Sequence, residues 1–87
     1  VGSLAGVVPG GPGHSHQAVR DISALAGMPG MVLLEPSCER EVEMALSHCV
    51  NSHSGPSYLR LVSIPCDVPY ELPADYRMEP GRGIALT

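Results

Sequence analysis

Met31-Val32-Leu33-Leu34 is an unbroken apolar run between Gly30 and Pro36, and few folds can absorb it. A strand with one wet face alternates apolar and polar residues, whereas a run without alternation suits a parallel strand covered on both faces. Parallel neighbours need crossovers, and a helical pattern lies on each side. Upstream, Ala18, Ile22, Leu25 and Ala26 fall at i, i+4, i+7 and i+8, a stripe that takes over from about His16 and is stopped by Gly27 and Pro29. Downstream, Val42, Ala45, Leu46, Cys49 and Val50 repeat it. Ser37 is placed to cap this second helix, with Glu39 and Glu41 in a first turn that favours negative charge and His48 near the opposite end, where a protonated imidazole would suit the dipole.

Two more strands complete the order. Leu4 to Val8, stopped by Pro9-Gly10-Gly11-Pro12-Gly13, reads as a buried strand running into a sharp loop. Past the turn-rich stretch Asn51 to Pro56, residues Ser57 to Val62 alternate weakly and read as a third strand. The expected fold is α/β, a partial parallel sheet in the order β-α-β-α-β followed by an extended Pro-rich tail. In that tail Pro65, Pro69, Pro73 and Pro80 exclude a helix or central strand, while Ile84, Ala85 and Leu86 within Gly81 to Thr87 suggest a following strand. Residues 1–63 thus read as one partial domain, and 64–87 as a linker with the start of a strand.

Eighty-seven residues allow one core, and a chain this short buries only about 60% of its unfolded surface. The 44% apolar share comes without Phe or Trp and with three Tyr, so few large side chains can anchor that core and the isolated chain should be weakly stable. Five Arg, no Lys and nine carboxylates give a net charge of -4, which excludes a nucleic-acid or anionic-membrane surface. No apolar run approaches the ~18 residues of a membrane span. Cys38, Cys49 and Cys66 are odd in number and match no zinc or C-x-x-C spacing, so they read as reduced thiols of a cytoplasmic protein that behave as small buried hydrophobes. Val1 in place of an initiating Met hints at a processed chain or a fragment.

Gly10 to Gln17 is the stretch most able to carry chemistry, because it leads from a strand into a helix at the carboxyl end of a parallel sheet, where ligands sit and free backbone N–H groups favour anions. From spacing alone a plain turn, its glycines only permitting unusual dihedrals, stays open. The loop matches neither the Walker nor the dinucleotide pattern. His14 and His16 form an H-x-H pair, but two ligands are not a metal site, and no metal is expected. His16, at a helix N-terminus whose dipole favours neutral imidazole, is the best candidate for a ligand-facing group. Gly13, His14 and Gln17 complete the surface around it. His53 and Ser54 read as a solvated turn, and no nucleophile elbow is present.

These residues carry a resemblance. Gly11-Pro12-Gly13-His14-Ser15-His16-Gln17-Ala18-Val19-Arg20-Asp21-Ile22 is similar to the GPTHxxxED segment of the thiamine-diphosphate-dependent transketolase family. Residues 25 to 41 resemble its LR-x-(I/L)-P-(N/G)-M-x-V-x-x-P-x-D-x-x-E stretch. Gly55-Pro56-Ser57-Tyr58-Leu59-Arg60-Leu61 resembles its GPxYLRL strand, and Glu79-Pro80-Gly81-Arg82-Gly83 the junction into its C-terminal domain.

The resemblance implies the second half of a pyrimidine-binding domain plus the interdomain linker, in a transferase that moves a two-carbon ketol unit. His16 would stand for the family histidine that hydrogen-bonds the donor substrate or its thiamine adduct, with Gln17 following as in many members. Thiamine diphosphate and Mg2+ are implied for the complete enzyme and neither is expected on this chain alone, since the family's activating Glu and stacking aromatic lie upstream and its diphosphate site on another domain. Pro12 stands where sugar-using members often place an Asp that reads a substrate hydroxyl, and Ser63 where many place a phosphate-binding Arg. A phosphorylated sugar is therefore not favoured. The partners implied are a complementing transketolase-type domain or subunit, or further copies of the chain. The alternative is a stand-alone, non-enzymatic remnant that acts as an oligomeric or partner-binding module.

Overall fold

A computed structural model describes residues 1–8, 11, 13–62 and 64–86. The apolar run becomes β1, Val32–Leu34, and the third expected strand becomes β2, Ser57–Leu59. They pair in parallel, Val32 against Ser57, Leu33 against Tyr58 and Leu34 against Leu59. Helix α2, Glu39–Asn51, makes the crossover between them and packs against β2. On the far side of β2 the N-terminus continues the sheet: Gly2 N–H donates to Leu59 O at 2.9 Å, Leu61 N–H to Gly2 O at 2.7 Å, and Ala5 N–H to Leu61 O at 3.0 Å. Ala18 adds an outer bridge, its N–H on Leu4 O at 2.8 Å and its C=O receiving Gly6 N–H at 3.2 Å. The α/β class and the parallel sheet are therefore as the patterning implies.

The first crossover is shorter than its stripe. Gly13–His16 forms a 3₁₀ turn, Ala18 is extended, and α1 covers only Asp21–Leu25. Ala18 has both backbone groups committed to Leu4 and Gly6, which forbids helix there, and Ile22 is left 44% exposed. The first strand is likewise reduced to bridges at Gly2 and Ala5, with Val7 and Val8 exposed. Pro9, Gly10, Pro12, Ser63 and Thr87 lie outside the described residues, and with them the two positions, Pro12 and Ser63, that bear on a sugar phosphate.

Ser37 does not cap α2. The cap position is Cys38, extended and without a side-chain cap bond. Instead Glu41 reaches back to accept from Ser37 N–H at 2.8 Å and Ser37 Oγ at 2.6 Å, so the carboxylate meets the amide ahead of the helix. The Pro-rich tail has no helix or strand among the described residues, and 81–86 are exposed rather than a new strand. The tail is nonetheless docked. Arg40 donates to the carbonyls of Pro73 and Ala74, each at 2.8 Å, and of Tyr76 at 3.1 Å; Tyr70 hydrogen-bonds Ser37, and Tyr76 Oη donates to Glu41 at 3.3 Å.

Among the described residues the buried apolar set is Ala5, Ala45 and Leu59. The outer edge of the α2 stripe stays bare, with Leu46 50% and Val50 72% exposed. Cys38 and Cys49 are half-buried, and Cys66 is exposed, unlike the buried thiol expected of it. No helix among the described residues is long and apolar enough to cross a membrane.

Candidate functional site

The N-terminal track, β1 and β2 run parallel, so the loop after the first and the residues following the other two meet at one edge of the sheet, the carboxyl edge where ligands are usually held. Gly13 opens the 3₁₀ turn at φ +71°, a conformation that a side chain would strain. Within the turn the polar side chains divide into two sets. His14 Nδ1 pairs with Gln17 Oε1 at 2.8 Å, and Gln17 Nε2 donates to Val8 O, so these two brace the loop. His16 is exposed and its Nδ1 pairs with Ser15 Oγ at 2.8 Å. The other ring nitrogen, Nε2, is the one His16 can turn to a ligand, as donor or acceptor according to its tautomer.

Beside the loop lies a charged cluster that patterning did not reveal. Asp21 Oδ2 accepts from Tyr58 Oη and from Arg60 Nε, each at 2.9 Å, and Arg60 Nη1 pairs with Glu35 just beyond β1. Side-chain exposure is 7% for Asp21 and 13% for Arg60, so this is a part-buried pair and not a surface decoration. Burial pushes the Asp21 carboxyl up, yet the hydrogen bonds from Arg60 and Tyr58 outweigh it and leave the group below its ordinary value. Burial and then the bond to Asp21 raise Tyr58, and the bond to Asp21 raises Arg60. Arg60 is thus committed to two carboxylates and is no free anion binder. Asp21 Oδ1 is buried without a hydrogen-bond partner.

Gly2 makes the cluster possible, because a Cβ there would lie 1.9 Å from Tyr58 Oη. The partners of Asp21 are 37 and 39 residues away, too far for any local signal; what could have pointed to it is the presence of one Asp and one Arg inside the two motifs of the resemblance. His53 is not simply solvated: it stacks on His48 at 6.2 Å and its Nε2 meets Gly30 O at 3.2 Å. Cys38 and Cys66 line one cleft between the start of α2 and the tail. Among the described residues no three His, Cys, Asp or Glu side chains are grouped to hold a metal ion.

Residues 1–63 match the family model described as transketolase, pyrimidine binding domain. The chain is 38% identical over 77 residues to a transketolase family protein of Sinorhizobium fredii, covering 87% of this chain and 21% of that protein. It is 42% identical over 57 residues to a 1-deoxy-D-xylulose-5-phosphate synthase of Prochlorococcus marinus, covering 66% and 9%. A third similar protein, named as a transketolase C-terminal section in Methanocaldococcus jannaschii, is 28% identical over 86 residues, covering 99% of this chain and 27% of that one. The chain therefore spans about a quarter or less of the length of these relatives. No solved structure matches it.

Proposed function

Because the chain belongs to the transketolase family, we propose that it contributes the substrate-facing half of a pyrimidine-binding domain to a thiamine-diphosphate-dependent transferase of two-carbon ketol units. It does not catalyse alone. Thiamine diphosphate supplies the nucleophilic carbon of such a transfer. A magnesium-held diphosphate needs grouped oxygen ligands, and the described residues present no such group for the cofactor's diphosphate end. That end falls to a complementing domain or subunit, in keeping with a relative named as a C-terminal section. The setting is cytoplasmic.

One observation carries the reading. In the loop at the carboxyl edge of the sheet, His14 and Gln17 engage each other while His16 leaves Nε2 toward solvent. His16 there donates a hydrogen bond to a substrate oxygen on which negative charge develops, and a donor fixed beforehand is worth more than one that must reorganise. In the assembled enzyme, His16→Ala is expected to lower kcat/KM by about 10²-fold or more, and His14→Ala by about tenfold at most through loosening of Gln17. Equal losses defeat the assignment.

A second reading is favoured by the bare apolar surface. Leu46 and Val50 on α2, with Val7 and Val8 near the loop, are left open to water, and apolar surface of that kind marks contact with another chain. On this reading the chain is a non-enzymatic oligomeric module.

A further inference from the structure

We propose that Asp21 is the positioning residue of the His16 loop, an ionised clasp that fixes the end of the loop segment to β2; this rests on the reading of His16 as the substrate-facing group. The argument begins with strand geometry. Tyr58 and Arg60 stand two residues apart along β2 and its continuation, so their side chains share one face of the sheet. Both converge on a single oxygen, Asp21 Oδ2, at 2.9 Å each. Asp21 is the first residue of α1 and the fifth after His16. Between the two, Ala18 is held by backbone bonds to Leu4 and Gly6. The segment leaving His16 is therefore pinned at its middle by the sheet and at its end by the carboxylate.

The clasp also spans the site edge. Arg60 bridges Asp21 to Glu35, so the residues following β1 and β2 and the start of α1 are joined through one guanidinium. No other side-chain hydrogen bond joins α1 to the strands among the described residues. A mere packing role would be served by apolar side chains; here a carboxylate only 7% exposed is kept in place by an arginine and a tyrosine hydroxyl that meet on one oxygen, and charge-assisted bonds of that kind fix geometry as apolar contact does not. Charge is essential to it. Asn in place of Asp21 keeps the size but brings an NH₂ group that must face either two donors, Arg60 Nε and Tyr58 Oη, or the buried space now occupied by Oδ1.

The experiment uses the complete enzyme assembly carrying Asp21→Asn, Arg60→Met, both together, Tyr58→Phe or His16→Ala. Amide exchange is read at Gly6, Gln17 and Ala18, and kcat and KM are read per folded enzyme. Asp21→Asn is expected to speed exchange at those three amides and to lower kcat by about 10²-fold with KM little changed, the loss that roughly 1 Å of misplacement brings. The double variant is expected to be no worse than the worse single one, because both remove one device. Tyr58→Phe, which leaves the ion pair and so the fold, is expected to speed the same exchange to a smaller extent, and it decides the matter if Asp21→Asn does not fold. Unchanged exchange in the folded variants overturns the proposal, as do losses in kcat that multiply. If the loop loosens while His16→Ala keeps full activity, the clasp stands and the role of His16 falls.

Discussion

The carboxyls of Asp21 and Glu41 lie below their ordinary values, Asp21 through Arg60 and Tyr58, Glu41 through Ser37 and Tyr76. In both, desolvation works in the opposite direction and is outweighed. A depressed carboxyl contributes stability that is fully present above its unfolded value, about 4, and is lost as pH falls through the lower folded value. Urea midpoints are therefore expected to be level from pH 7 to about 5 and to fall below about 4, with Asp21→Asn flattening that fall. A variant that falls as steeply as the parent would place the acid sensitivity elsewhere. At this scale the glycine-rich loop singled out His16 as a candidate by local pattern; the structure leaves it exposed, at the end of a 3₁₀ turn and not at the helix N-terminus expected of it, because the helix begins only at Asp21. The sequence was illegible for Asp21, because its partners arrive only when the sheet closes, and Arg60 could be read only as a strand cation of unknown partner.

At the scale of elements, the periodic pattern located α2 and β1 closely and the start of β2, which ends at Leu59 and not at Val62, since each is decided by its own short-range spacing. It overstated α1, because a helical stripe does not reveal that Ala18 is claimed by a strand bridge, a contact with Leu4 and Gly6 that lie 14 and 12 residues away along the chain. It misplaced the cap of α2 by one residue. Cys38 holds the extended backbone of a cap residue, φ −147° and ψ 168°, with a side chain that makes no cap bond. Cys38→Ser supplies a hydroxyl at that position and is expected to raise stability by about 1 kcal/mol, measured by urea denaturation. No gain, with α2 intact by circular dichroism, would mean that solvent already satisfies the first-turn amides that the hydroxyl was to accept from.

Over the whole molecule the balance is set by what is missing from the interior. Ala5, Ala45 and Leu59 are small or medium residues, no large side chain is fully buried among the described residues, and Val50, Val7 and Val8 face water. The absence of Phe and Trp foretold this. Sedimentation of the isolated chain at about 10 µM, a concentration where weak apolar contacts of about 7 kcal/mol become populated, is expected to show association and not a folded monomer. A folded monomer there would remove the oligomeric reading and weaken the need for a complementing domain. The tail is different in kind from these bare faces. Arg40 holds it through main-chain oxygens of Pro73, Ala74 and Tyr76, groups that every residue type possesses. Such a grip reads the path of the chain and not its side chains, so substitutions can accumulate along 73–75 without loosening it, while Tyr76, whose hydroxyl also meets Glu41, and the guanidinium of Arg40 are the side chains the dock depends on there.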